Sequence, residues 1–255
     1  MRPIRRGSAP KVGDYPNYQD AKTALISRLG SGWLKGQQVA AYCSFCERKI
    51  ETMLAVEHIE PKDGPFGNPA LVGRWTNFLL ACVNCNSTKG TKQVIFTHLY
   101  LPDRDNTFCA FHYLPDGNIV PNPTLSLSQK DIAERTLALV GLDKAMRSTV
   151  DEHGRLIAED RASQRMQMFG IAESALADLL DDPNCEPLKR QILANAVSGG
   201  FFSVWMTVFS SEVEMRRRFV DAFSGTRNSN CFVSVTEVIN SPATNPDGLP
   251  GGGKI

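Results

Sequence analysis

Cys43-Ser44-Phe45-Cys46, then Val56-Glu57-His58-Ile59-Glu60-Pro61-Lys62, then Asn77-Phe78-Leu79-Leu80-Ala81-Cys82-Val83-Asn84-Cys85-Asn86-Ser87-Thr88-Lys89-Gly90 decide how this 255-residue chain folds. Each Cys-x-x-Cys pair puts two thiolates on a tight turn, and two such pairs supply the four tetrahedral ligands of a structural zinc site. The alternative is four reduced core cysteines; a redox role is disfavoured because no thioredoxin-like βαβ frame surrounds them. Thirty-five residues separate Cys46 from Cys82, more than a compact zinc ribbon needs, so the insert is expected to fold as an element of its own. It brings in His58 and Asn77, and Glu57 and Asn86 lie close by in sequence. One carboxylate and one amide leave open positions on a hard divalent ion.

Apolar residues between Met53 and His58 predict a strand ending at the Pro61 and Gly64 breakers, and Asn77–Ala81 predicts a second. A helix is expected from about Asn86. Lys89 follows Asn86 by about one helical turn and shares its face, with Lys62 and Lys92 extending a basic rim; for all three the alternative is solvated surface charge. Adjacent strand residues point to opposite faces, so Glu57 and His58 can serve one site only if the chain bends there.

Glu57-His58-Ile59-x-Pro61-Lys62, followed by Asn77-x-Leu79-Leu80-x-Cys82-x-x-Cys85-Asn86-x-x-Lys89-Gly90, resembles the HNH (ββα-metal) endonucleases in their zinc-clamped form. The resemblance covers about residues 40–95. It implies an α+β fold, an N-terminal ββα-metal core with a four-cysteine zinc clamp followed by a mainly α-helical C-terminal domain. It also implies structural Zn²⁺ on Cys43, Cys46, Cys82 and Cys85, and a catalytic Mg²⁺ or Mn²⁺ on Glu57 and Asn86. His58 would be the general base, Asn77 the residue that orients it, and Lys89 a phosphate contact or transition-state cation. Two departures stand out: Glu57 occupies a position where Asp or His is more usual, and Asn86 is a weaker ligand than histidine. More loosely, and without motifs, the helical remainder resembles that of bacterial antiphage-defence HNH nucleases such as the Septu-type nuclease subunit, which acts beside an ATPase partner.

The rest of the chain divides into an arm and helix (1–39), the nuclease segment (40–128), a helical domain (129–239) and a tail (240–255) rich in Pro, Gly and Asn and expected to be disordered. The arm, with Arg2, Arg5 and Arg6, is expected to be extended, either solvated or touching phosphate. Helices are expected over 17–29, from a Ser128–Asp131 capping box to Gly141, over 143–169, 171–180 and 187–197, and as a pair across 201–223. Phe201, Phe202, Trp205, Met206 and Phe209 read as core. His98 and His112 read as structural, and Cys109, Cys185 and Cys231 as buried small hydrophobes. Residues 1–130 hold 15 Lys and Arg against 10 Asp and Glu, whereas residues 131–255 hold 13 against 17. A basic front half suits a nucleic-acid partner. DNA is the expected substrate, with RNA left open, and an ATPase or other protein partner or a homo-oligomer is compatible with the modest charge. No stretch of 18 apolar residues occurs and the basic start lacks an apolar run, so neither a membrane span nor a secretory signal is expected, and the cytoplasm is the default. The competing reading is a zinc module of HNH shape that binds nucleic acid or protein without cutting.

Overall fold

Ala55–His58 and Phe78–Ala81 pair antiparallel, with Val56 opposite Leu80, Glu57 opposite Leu79 and His58 opposite Phe78. All four residues of the second strand are buried, which is why Phe78-Leu79-Leu80-Ala81 is an unbroken apolar run instead of an alternating one. The chain passes directly from this strand into the helix Val83–Lys89, capped by the Cys82 sulfur, which accepts the Cys85 N–H at 3.4 Å. Gly90, with φ +50°, ends that helix.

The computed structural model describes residues 1–146, 149–157, 160–233, 239–240 and 244–255. In chain order, α1 (Lys22–Leu25) lies between a 3-10 turn and a π-turn. A hairpin of β1 (Ser31–Leu34) and β2 (Gln37–Ala41) follows, and then the ββα unit of β3 (Ala55–His58), β4 (Phe78–Ala81) and α2 (Val83–Lys89). Next come α3 (Thr107–Ala110), the hairpin of β5 (Phe111–Tyr113) and β6 (Ile119–Pro121), and α4 (Leu127–Val140). A two-residue hairpin, β7 (Thr149–Val150) and β8 (Leu156–Ile157), precedes α5 (Arg161–Asp181), α6 (Glu186–Gly199), α7 (Phe202–Val208) and α8 (Val213–Ala222). The pair β9 (Phe232–Val233) and β10 (Ile239–Asn240) comes last. The fold is α+β, with the ββα unit near the N-terminus and helices dominating the remainder. One hydrophobic core joins the two parts, running from Leu25 and Leu80 to Val140, Trp205 and Phe219. Phe201, Phe202, Trp205, Met206 and Phe209 all belong to it.

Three local expectations change. The 143–169 stretch is not one helix: Asp151 accepts the N–H groups of His153 and Arg155 at 2.9 Å, and Gly154 has φ +75°. This side-chain-to-backbone turn competes with helix formation; residues 147–148 and 158–159 lie outside the described residues. The helix expected at 171–180 is instead the second half of α5, which begins on an Asp160 cap and continues through Gly170. A helical glycine costs only about 1 kcal/mol, too little to break 21 residues of helix. The α4 capping box uses Ser126 and Gln129, two residues earlier than expected, while Gly141 closes the helix in the left-handed region as anticipated.

The termini differ most. Arg2 is buried and donates to the carbonyls of Leu29 at 2.7 Å and Ser224 at 2.6 Å. Arg6 is buried as well, donating to Phe78 O, pairing with Asp103 at 2.7 Å and reaching Asp247 at 3.2 Å. Neither guanidinium is available to phosphate. Asp247 also accepts the Gly7 N–H at 2.8 Å, and Lys254 pairs with Asp105 at 2.9 Å. Residues 244–255 are therefore docked and not disordered; positions 241–243 lie outside the described residues. Arg6 finds its compensating anions in Asp103 and Asp247, so the arm and the tail meet at one buried ionic cluster.

Asp103 is the shared anion of Arg6 and Arg104. Asp103→Ala removes one partner from a buried pair, a loss of about 3–5 kcal/mol. Thermal denaturation is expected to show a midpoint lowered by roughly 6–20 °C, whereas an unshifted midpoint would mean that this network is not stabilising.

Candidate metal centre and catalytic cavity

Cys43 and Cys46 lie on the turn after β2, and Cys82 and Cys85 at the entry to α2. Their four sulfurs fall within 4.8 Å of one another, with Cys46 Sγ and Cys82 Sγ 3.7 Å apart, and all four residues are buried. A zinc tetrahedron with Zn–S bonds of about 2.3 Å has S···S edges of about 3.8 Å, so the cage has the dimensions of a four-thiolate zinc site. Hydrogen bonds from Cys43 and Cys46 hold Cys82 well below the usual thiol range, while burial pushes Cys43 up. Four thiolates around one Zn²⁺ would carry two net negative charges, and Arg161 faces them. Its Nη1 donates to Cys85 Sγ at 3.0 Å and to Val140 O at 2.9 Å, and its Nη2 to Gly141 O at 2.6 Å. The first residue of α5 thus ties the end of α4 to the thiol cage.

Glu57, His58, Asn86 and Lys89 line one cavity of about 240 Å³ beside the cage. Both residues lie within β3, whose register runs on unbroken through His58, and both line this cavity all the same. Glu57 Oε1 lies 2.8 Å from Lys89 Nζ, which also donates to His58 O at 2.7 Å. Both side chains are buried, so Lys89 is not a solvated surface charge. Burial pushes the Glu57 carboxyl above its ordinary range, and the Lys89 ammonium pulls it back. Lys62 is exposed and reaches Tyr18 OH at 3.3 Å at the cavity's edge. Lys92 turns away, donating to Ala138 O and Leu139 O at the C-terminal end of α4.

The His58 ring is held by three groups. Tyr18 meets it edge-on with centroids 4.7 Å apart, Phe78 meets it at 5.3 Å, and Nε2 lies 3.0 Å from Val72 O. A carbonyl oxygen can only accept, so Nε2 carries the hydrogen and Nδ1 keeps its lone pair. Burial pushes the imidazole below its ordinary pKa, which leaves it neutral at neutral pH. The result is a positioned proton acceptor beside a carboxylate and an amide.

Asn77 does not bond to the His58 ring. Its Oδ1 accepts the Glu60 N–H at 2.8 Å, and its Nδ2 donates to Glu60 O at 3.0 Å and Leu71 O at 3.4 Å. It clamps the turn that follows His58 to the loop that carries Val72, so its influence on the ring is indirect. Sequence reading did not find Tyr18 or Val72. Val72 acts through a backbone carbonyl, which leaves no side-chain signature, and Tyr18 lies forty residues from His58. His98 and His112 are exposed and line no part of this cavity.

The donor set fits the implied ions. Mg²⁺ and Mn²⁺ take oxygen ligands and keep water and phosphate in the remaining positions, and Glu57 and Asn86 provide one carboxylate and one amide. Cys82→Ser is expected to lower the zinc content of the purified protein well below one per chain and the melting midpoint by about 6 °C or more, equivalent to roughly 2–3 kcal/mol. A zinc-replete variant of unchanged stability would contradict the cage.

Residues 43–92 match the family model for HNH endonuclease. Over 145 residues the chain is 26% identical to a protein of Vibrio cholerae serotype O1 biovar El Tor named "Retron Vc95 putative HNH endonuclease", an alignment that spans 54% of this chain and 68% of that one. The matched segment begins at the first cysteine of the cage and ends just beyond α2, enclosing Glu57, His58, Asn77, Asn86 and Lys89. The chain carries an HNH endonuclease domain, its ββα unit closed by four clustered cysteines.

Proposed function

We propose that this chain is a metal-dependent endonuclease that hydrolyses DNA phosphodiester bonds, acting in bacterial defence or in a mobile element. The observation that carries this reading is the His58 imidazole, pinned through Nε2 on Val72 O, in one cavity with Glu57 and Asn86. In this reading His58 takes the proton of the attacking water. Glu57 and Asn86 would hold a divalent ion, which would supply Lewis acidity and a template for the phosphate. Lys89, on the same wall, offers its ammonium to a non-bridging phosphate oxygen. Asn77 is a positioning residue that keeps the His58 turn and the Val72 loop in register. The four cysteines would hold Zn²⁺, which would keep α2, and with it Asn86 and Lys89, against β3. The similarity to a protein named as a retron HNH endonuclease supports the nuclease part of this reading. An ATPase or other protein partner, or alternatively a homo-oligomer, belongs to the same proposal, as does a cytoplasmic location. Among the described residues no helix is long and apolar enough to cross a membrane.

One observation favours the rival reading of a binding module that does not cut. Lys89 already satisfies the Glu57 carboxylate without a metal ion. Supercoiled plasmid separates the two. Incubated with Mg²⁺ or Mn²⁺, the parent protein is expected to nick or linearise DNA, EDTA is expected to stop it, and His58→Ala is expected to lower the rate by about 10²–10⁴-fold at unchanged melting temperature. Cleavage by His58→Ala at the parent rate would remove His58 from the mechanism. Binding without nicking in any metal would favour the module. A parallel RNA substrate decides between the two nucleic acids.

A further inference from the structure

Of the three arginines in the arm, Arg2 and Arg6 are consumed by buried partners, whereas Arg5 is exposed and its side chain has no anionic partner among the described residues. It opens into a cavity of about 500 Å³, distinct from the one that holds His58, lined also by Arg28, Trp33, Asp221 and Arg227. Asp221 and Arg227 neutralise each other at 2.6 Å. Arg28 donates to the carbonyls of Ser8 and Arg6, and its charge meets no carboxylate among the described residues. Two positive charges, Arg5 and Arg28, are therefore left facing this cavity. At its edge Trp33 is 37% exposed, with its indole N–H fixed on Ser224 Oγ at 2.8 Å. Cationic groups beside a pinned, accessible aromatic ring are what a nucleic-acid strand requires, phosphate to the former and a base against the latter.

This second cavity is joined to the first by a fixed piece of chain. Val72 O holds His58, Gly73 O accepts the Tyr15 N–H at 2.8 Å, and the Trp75 indole donates to Gly7 O at 2.8 Å. The Arg28 guanidinium lies 5.5 Å above the Trp75 ring. Loop 72–75 therefore connects the ring of His58 at one end with the arginine cavity at the other.

We infer that Arg5, Arg28 and Trp33 form a second contact point for the nucleic-acid substrate, each arginine gripping a backbone phosphate and Trp33 stacking a base of a single-stranded stretch away from the bond that is cut. The inference deepens the proposed nuclease reading and rests on it for the direction of the strand, but its test does not require cleavage.

Fluorescence anisotropy in EDTA, with a labelled single-stranded 30-mer and its duplex, supplies that test on the full-length chain. The variants are Arg5→Ala, Arg5→Ala with Arg28→Gln (which keeps a donor toward Ser8 O), and Trp33→Ala. Lys130→Ala with Arg190→Ala serves as a control that removes two positive charges elsewhere, and melting curves verify that each variant is folded. The double arginine variant is expected to bind the single strand about tenfold more weakly, with a salt slope shallower by roughly 1.4, about 0.7 for each phosphate no longer neutralised. Arg5→Ala alone is expected to give half of that slope change. Trp33→Ala is expected to weaken single-strand binding about fivefold or more and duplex binding by less than about twofold. Folded variants that bind like the control pair would overturn the inference while leaving the nuclease reading intact. If variant-sensitive binding is found but plasmid cleavage never is, the contact point stands and the nuclease reading falls. A parent protein that binds neither strand nor duplex would overturn both.

Discussion

Four buried thiols that cannot all ionise without a shared cation are the constraint on which the site depends. They join two points thirty-six residues apart in the chain, the turn after β2 and the start of α2, and every residue of the proposed catalytic group lies between those points or within about two turns of the second. The cage does more than close a loop. Cys82 caps α2, so the thiol that enters the cage also starts the helix bearing Asn86 and Lys89. Arg161 offsets the charge from the other side and fastens the helical half to the nuclease half through Val140 and Gly141. The single core shared by the two halves is in keeping with that fastening.

Within the cage's grip, the cavity is arranged by groups that are mostly backbone. Val72 O sets the His58 tautomer, His58 O holds Lys89, and the peptide groups of Glu60 hold Asn77. Peptide groups fixed by a folded loop do not need to reorganise when a substrate arrives, a favourable property for an electrostatic site. The Lys89–Glu57 pair keeps a buried carboxylate compensated, since an unpaired charge at that depth would be strongly unfavourable. It also means that a divalent ion must compete with an ammonium group for Glu57, which makes metal affinity and the fate of Lys89 one coupled question.

Much of this was legible in the amino-acid order. Cysteine spacing and the breakers Pro61 and Gly64 bounded the strands, and the apolar run from Phe78 to Ala81 marked the second of them; the helix expected from about Asn86 begins at Val83, where the Cys82 sulfur caps it. Gly141 marked the end of α4. What was not legible depended on partners far away in sequence. Nothing near Arg2 or Arg6 announces Leu29, Asp103 or Asp247, so a basic arm that closes the core resembles a solvated one. The tail, with Asp247 and Lys254 seeking buried partners, resembles disorder for the same reason. The Asp151 turn was missed because a short carboxylate bonding its own backbone leaves little trace in apolar periodicity. Asn77 was expected to orient the imidazole, but it bonds to Glu60 and Leu71 instead, because spacing does not reveal rotamers.

The central claim is that the Glu57–Asn86 cavity takes a divalent ion separate from the zinc cage. Calorimetric titration of Mn²⁺ into zinc-loaded protein tests it directly, with folded Glu57→Gln and Asn86→Ala variants alongside. The account predicts one Mn²⁺ site per chain in the parent, weakened about tenfold or more in each variant while zinc content is unchanged, in keeping with removal of a group that binds the metal. Equal Mn²⁺ binding by the parent and both variants would contradict it.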